Sequence, residues 1–132
     1  MRIPRALYDE IVEHAVADAP NECCGIVSAD DGGEAVKVYR AENKLANRFS
    51  FSVDEQDLFR IYNEIEDAGL DLRAIYHSHT RSAPKPSLTD IRYADGWPGA
   101  LWIIVGLAGP EPEVRTWLID GGDVREAELV VE

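Results

Sequence analysis

The sequence predicts a mixed α/β fold, a mixed β-sheet with flanking helices in a single domain covering residues 1–132. Three observations carry this. Two segments place apolar residues at helical spacing: Leu7, Ile11, Val12 and Ala15 in the first, and Leu58, Ile61, Tyr62 and Ile65 in the second. The run Leu101-Trp102-Ile103-Ile104-Val105-Gly106-Leu107 is continuously apolar, as befits a central strand covered on both faces. The remaining strand-like segments intermix with the helices without strict alternation, which favours a mixed sheet over a doubly wound parallel one. Apolar content of 45% and three tryptophans support a folded core, and repeats, low-complexity segments and linkers are absent from the sequence.

In chain order, the first helix spans residues 5–18 and stops at Ala19-Pro20-Asn21, where Pro20 removes a donor. Residues 22–28 form a strand that turns at Asp30-Asp31-Gly32-Gly33 and pairs as a hairpin with residues 35–39. A polar connection over 42–47 leads to Phe49-Ser50-Phe51, whose alternation predicts a half-buried strand. The second helix covers residues 54–68 and ends at Gly69. Residues 72–79 are a strand, residues 87–94 a short helix, and residues 101–107 the central strand. Residues 114–119 and 124–131 close the chain as strands joined at Asp120-Gly121-Gly122.

Charge narrows the function. With 25 acidic against 13 basic residues the formal net charge is −12, which argues against nucleic acid or an anionic membrane as partner, since phosphate recognition needs clustered Lys and Arg. Such a surface keeps a protein soluble, and with only three lysines it also suits a high-salt source. The two cysteines, Cys23 and Cys24, are adjacent and cannot form a long-range disulfide framework, which points to a reducing cytoplasm. The N-terminus does not resemble a signal peptide, and every apolar run is strand-sized.

The chemistry concentrates in residues 76–90. His77 and His79 are one residue apart at the end of a strand, so their side chains share a face with Ser78 opposite. A proline-punctuated loop then brings Ser87 and Asp90 to a helix start. Two imidazoles and a carboxylate match the three-protein-ligand pattern of catalytic zinc. The segment Ser87-Leu88-Thr89-Asp90 reads equally well as a capping box, in which Asp90 reaches back to its helix N-terminus, and the two roles compete for one carboxylate. Glu22 opens an apolar strand and is a candidate base, although position alone does not separate it from a solvated glutamate. His14 reads as a surface or partly buried residue, and Trp97, Trp102 and Trp117 as core or interface. Cys24 shares a strand face with Glu22 and reads as small buried packing. Neither cysteine has a base assignable to it.

Glu22, then His77-Ser78-His79, ten intervening residues, and Asp90 with Pro86-Ser87 before it together resemble the JAMM (MPN-plus) metallopeptidases. The resemblance extends over nearly the whole chain. It implies a JAMM/MPN-like curved mixed sheet, with zinc bound by His77, His79 and Asp90, Glu22 as general acid/base and Ser87 as oxyanion donor. Cys-Gly after the glutamate is also frequent in the family. Within it, His-Ser-His-Thr, a short loop and Pro-Ser-x-Thr-Asp are most similar to the bacterial Mec-type enzymes. Those act on small ubiquitin-like sulfur carrier proteins and remove a cysteine from a C-terminal Gly-Gly tail, so a similar partner is implied here. The alternatives are an isopeptidase that removes ubiquitin-like modifiers from lysines, and a non-catalytic zinc-containing binding module. Release of one terminal residue places a free carboxylate near the site, and Arg81 and Lys85 are the cations closest in sequence that could meet it, or are simply solvated loop residues.

Overall fold

A computed structural model describes residues 1–45 and 52–132. The strand expected at Phe49-Ser50-Phe51 lies outside the described residues. The elements are β1 (Arg2–Ile3), α1 (Arg5–Asp18), β2 (Cys24–Ala29), β3 (Ala35–Ala41), α2 (Glu55–Asp67), β4 (Asp71–His79), α3 (Leu88–Ala94), β5 (Leu101–Gly106), β6 (Glu113–Asp120), β7 (Asp123–Ala127) and β8 (Val130–Val131). Six strands form one sheet in the order β3-β2-β4-β5-β6-β7, in which β4 and β5 run parallel and every other pair antiparallel. This is the expected mixed sheet with flanking helices. No helix among the described residues is long and apolar enough to cross a membrane.

The pleat sorts side chains onto two faces. On one, Cys24, Ile26, Ile75, Trp102, Ile104 and Trp117 pack against Ile61 and Ile65 of α2 and Ala94 of α3. On the other, Val27, Ala74, Tyr76, Ile103 and Val105 pack against Ile3 and against Ile11 and Ala15 of α1. The central run of β5 is buried throughout, as its unbroken apolar character requires. Asp54 caps α2 by accepting from the Gln56 and Asp57 amides at 2.9 and 3.2 Å.

Two expectations need correction. The single strand predicted over 124–131 is two: β7 stays on the sheet edge, whereas β8 leaves it and pairs in parallel with β1, Arg2 opposite Val130 and Ile3 opposite Val131. Ile3 is completely buried, so its main chain needs partners, and the Glu132 amide donates to its carbonyl at 2.9 Å. Apolar alternation marks a segment as extended but does not say which edge it joins. The second correction concerns His14, which is buried, not a surface residue. The Tyr76 hydroxyl lies 2.7 Å from His14 Nδ1, and His14 Nε2 lies 3.2 Å from Asp18 Oδ2. Burial lowers the His14 pKa, so in the neutral ring the Tyr76 O–H donates to Nδ1 and Nε2–H donates to Asp18.

That bridge fixes the Tyr76 ring over Gly25, where a Cβ would collide with the ring and its hydroxyl oxygen. Gly25→Ala should therefore destabilise the protein by ~1–3 kcal/mol through overpacking. Chemical denaturation checks this, and an unchanged midpoint would contradict it.

Candidate active site

The site forms where β4 ends. His77 and His79 project from the face that carries α2 and α3, and Ser78 points to the other. Cys24 pairs with His77 across the antiparallel β2–β4 ladder, so continuing that register beyond β2 sets Cys23 opposite Ser78 and Glu22 opposite His79. Ser78 secures the continuation. Its Oγ accepts from the Cys23 amide at 2.8 Å, and its amide donates to the Cys23 carbonyl at 3.3 Å. The serine between the histidines thus ties the Glu22 segment to the histidine strand from the opposite face. Position in the sequence marked it only as the residue facing away.

The loop after His79 is pinned at three points. His79 Nδ1–H donates to the Ala83 carbonyl at 2.9 Å, Trp117 Nε1–H donates to the Pro84 carbonyl at 2.8 Å, and the Leu107 amide donates to the His79 carbonyl at 2.9 Å. Pro84 lies so close to β5 that a Cβ on Gly106 would sit 2.7 Å from its Cδ. Trp117, read from the sequence as core or interface, packs in the core, and it also anchors the loop that delivers Ser87 and Asp90.

At the start of α3 Asp90 caps the helix and faces both histidines at once. Ser87 Oγ accepts from the Asp90 amide at 3.1 Å and Asp90 Oδ2 accepts from the Ser87 amide at 2.9 Å, a complete capping box. The same Oδ2 lies 3.1 Å from His77 Nε2 and 3.0 Å from His79 Nε2, which are 3.2 Å from each other. The presumed competition between capping and facing the histidines does not arise. A carboxylate oxygen accepts from more than one direction, and the short loop lets a cap point at the strand end.

Glu22 completes the group, with a carboxylate oxygen and one nitrogen of each histidine all within 4.8 Å of one another. Glu22 Oε1 is buried and has no hydrogen-bond partner among the described residues. Burial raises its pKa to about 7, with Asp90 adding to the effect and His79 opposing it. Burial also works against ionised Asp90, but hydrogen bonds from His77, His79 and the Ser87 amide outweigh it and hold the carboxyl well below the usual carboxylate range. Burial lowers His77, whereas at His79 the contacts with Asp90 and the Ala83 carbonyl overcome burial and raise the ring's pKa.

This donor set fits a metal ion. With His79 Nδ1–H held by the Ala83 carbonyl, loss of the Nε2 proton to a bound metal would leave a lone pair aimed between Asp90 Oδ2 and His77 Nε2, and these three atoms converge with separations of 3.0–3.2 Å. A tetrahedral site with bonds of ~2.0–2.1 Å has edges of about 3.3–3.4 Å.

Ser87 is exposed, and because its oxygen accepts from Asp90 its hydroxyl hydrogen is free to donate outward. Arg81 and Lys85 are exposed on the loop, with no side-chain hydrogen bond or ion pair to any described residue. Both cysteines are buried and unpaired in any disulfide; burial pushes the Cys23 thiol up to about 12 and Cys24 further above the ordinary thiol value, so neither serves as a nucleophile.

Residues 4–120 match the family described as prokaryotic homologs of the JAB domain. The chain belongs to this family. It is 32% identical over 130 residues to a desampylase of Haloferax volcanii, covering 94% of the chain and 91% of that relative. To a CysO-cysteine peptidase of Mycobacterium tuberculosis it is 30% identical over 129 residues, covering 96% and 88%. A solution structure of a Desulfitobacterium hafniense protein superposes with a TM-score of 0.87 at 28% identity, covering 100% of this chain and 93% of that one. The residue pattern that resembled JAMM metallopeptidases therefore sits in a JAB-family domain with the corresponding fold.

In the metal-free protein the Glu22 carboxyl should titrate near pH 7 rather than near ~4.3. Because the folded pKa is raised, its favourable contribution is present below the unfolded pKa and is lost as pH rises through about 7. Carbon-13 NMR of the carboxyl reads the midpoint directly, and Glu22→Gln should lessen the stability lost across that window. A midpoint below about pH 5 would contradict the burial account.

Proposed function

We propose that this protein is a zinc metallopeptidase that hydrolyses the bond after the C-terminal Gly-Gly tail of a small ubiquitin-like sulfur carrier protein, releasing cysteine. The observation that carries the reading is the convergence of His77 Nε2, His79 Nε2 and Asp90 Oδ2 within 3.2 Å, with the buried Glu22 carboxylate beside them. The similarity to a desampylase and a CysO-cysteine peptidase supports the substrate class. His77, His79 and Asp90 would hold the metal. When bound, zinc polarises a carbonyl and acidifies water.

The chain's own groups complete the reaction. Glu22 takes the proton of the attacking water and returns it to the departing amine, for which a pKa of about 7 suits both directions. Ser87 donates its free hydroxyl hydrogen to the oxygen that gains charge. Asp90, kept ionised, orients the histidines and tethers them to α3. The extended tail would be held by strand addition, which asks little of side-chain identity.

One observation favours a second reading, cleavage of carriers from lysines. The groove that adjoins Glu22 is lined by Ala17, Asp18, Asn21, Glu42 and Asn43, which include carboxylates and no cation. The leaving amine must depart on the side of the group that protonates it. An acidic groove there suits a lysine side chain better than a free carboxylate. Arg81 and Lys85, on the loop beyond His79, favour the cysteine-releasing reading instead.

Glu22→Gln should retain one zinc per chain and lose most of kcat, whereas His77→Ala should lose both metal and activity; metal analysis beside intact-mass assays separates the two. Ser87→Ala should lower kcat by on the order of 10²–10³. A fully active Glu22→Gln enzyme would exclude the acid/base assignment. For the substrate, carriers ending in Gly-Gly-Cys and isopeptide conjugates are offered side by side. Arg81→Ala should raise KM for the cysteinyl carrier only, and an unchanged KM would remove Arg81 from the substrate site.

A further inference from the structure

We propose that Asn43 is a positioning residue for Glu22, its carboxamide setting the main chain from which the acid/base carboxylate projects; this rests on the acid/base reading of Glu22 given above. The β2 ladder begins at Cys24, and its register with β3 ends with Cys24 opposite Ala41. Extrapolated two residues, that register brings Asn43 opposite Glu22. There the ladder stops and a side chain takes over, because Asn43 Nδ2–H donates to the Glu22 carbonyl at 2.9 Å.

The other end of the carboxamide is equally committed. Asn43 Oδ1 accepts from the Leu45 amide at 3.1 Å and from the Ser52 amide at 3.0 Å. The orientation is therefore fixed by its partners: a flipped amide would set oxygen against the Glu22 carbonyl and N–H groups against two N–H donors. Asn43 itself is buried, at 8% exposure, and its flanks are held firmly. The Lys44 amide donates to the Ser52 carbonyl at 2.7 Å, the Asp54 amide to the Glu42 carbonyl at 3.0 Å, and the Glu42 amide to Asp57 Oδ2 on α2 at 2.7 Å. Asn43 thus references the Glu22 main chain to the start of α2.

Glu22 needs such a reference. Its Oε1 has no hydrogen-bond partner among the described residues, so little on the side chain itself fixes that oxygen and its place opposite His77 and His79 is inherited from the backbone. On the Cys23 side the backbone is tied to Ser78, and on the Glu22 carbonyl it is tied to Asn43. Displacing a proton-transfer group by about 1 Å is enough to cost on the order of 10² in rate.

The test is Asn43→Asp, which keeps the acceptor for Leu45 and Ser52 and replaces the donor facing the Glu22 carbonyl with a second acceptor. On the zinc-loaded enzyme, with whichever of the Gly-Gly-Cys carrier or its lysine conjugate the wild type cleaves, kcat should fall by about 10–100-fold with KM within about twofold and zinc content unchanged. The Glu22 carboxyl resonance of the zinc-loaded protein should move. Under single-turnover conditions, adding Asn43→Asp to Glu22→Gln should cost at most about twofold more, because the positioned group is already disabled. Asn43→Gln, which keeps both donor and acceptor, should retain more of kcat than Asn43→Asp, and it carries the test if the aspartate variant does not fold. Wild-type kcat in Asn43→Asp, a kcat in Asn43→Gln below that of Asn43→Asp, an equal fractional loss in the Glu22→Gln background, or loss of zinc would overturn the proposal. If Glu22→Gln were itself fully active, the acid/base reading would fail first, and the two failures are thereby distinguished.

Discussion

A single carboxylate oxygen, Asp90 Oδ2, meets three groups that the rest of the structure is arranged to bring together: the Ser87 amide that starts α3 and the Nε2 atoms of His77 and His79 that end β4. The cap holds the helix by the same contact that closes the donor triangle. Burying an anion there is tolerable only because every approach to it carries a donor or a proton-bearing ring. The helix start and the convergence of these donor atoms are therefore not separable properties. The loop between them must be short and stiff, and it is held by Trp117, Gly106 and the His79 ring.

The sheet divides the labour between its faces. The histidines lie on the α2/α3 side with Trp102 against His77, in a low-polarity wall that disfavours charge on the ring. On the reverse side Tyr76, Gly25, His14 and Asp18 bind α1 to the same two strands. Ser78 links the faces, since its hydroxyl works on the reverse side to hold the segment that carries Glu22 on the obverse. Glu22 itself sits beyond the last ladder residue of β2. This leaves its carboxylate buried, while the side chains of Ser78 and Asn43 hydrogen-bond to the main chain of Cys23 and Glu22.

Much of this was legible in the residues. Helical spacing marked both long helices to within a residue or two, and the unbroken run Leu101–Gly106 marked the central strand. The His-x-His pair announced a shared face because strand geometry has a period of two. Over residues 124–131 alternation records extension and not partnership, and only the pairing of Arg2 with Val130 and Ile3 with Val131 shows where the chain goes. A polar residue such as His14 on an amphipathic helix looks solvent-facing until a buried tyrosine hydroxyl supplies its partner.

The sequence by itself determined the donor types, their grouping into one strand end and one helix start, and the family, because these depend on local spacing and on residue chemistry. Tertiary structure decided the rest. It showed that capping and facing the histidines coexist on one oxygen of Asp90, which only the direction of α3 relative to β4 can reveal. It also brought Glu22 across 55 residues of chain to the histidines through the register of β2 on β4, with Ser78 and Asn43 hydrogen-bonded to the main chain of Cys23 and Glu22. Sequence spacing within one element carries geometry, whereas contacts between elements depend on register and packing that no single segment encodes.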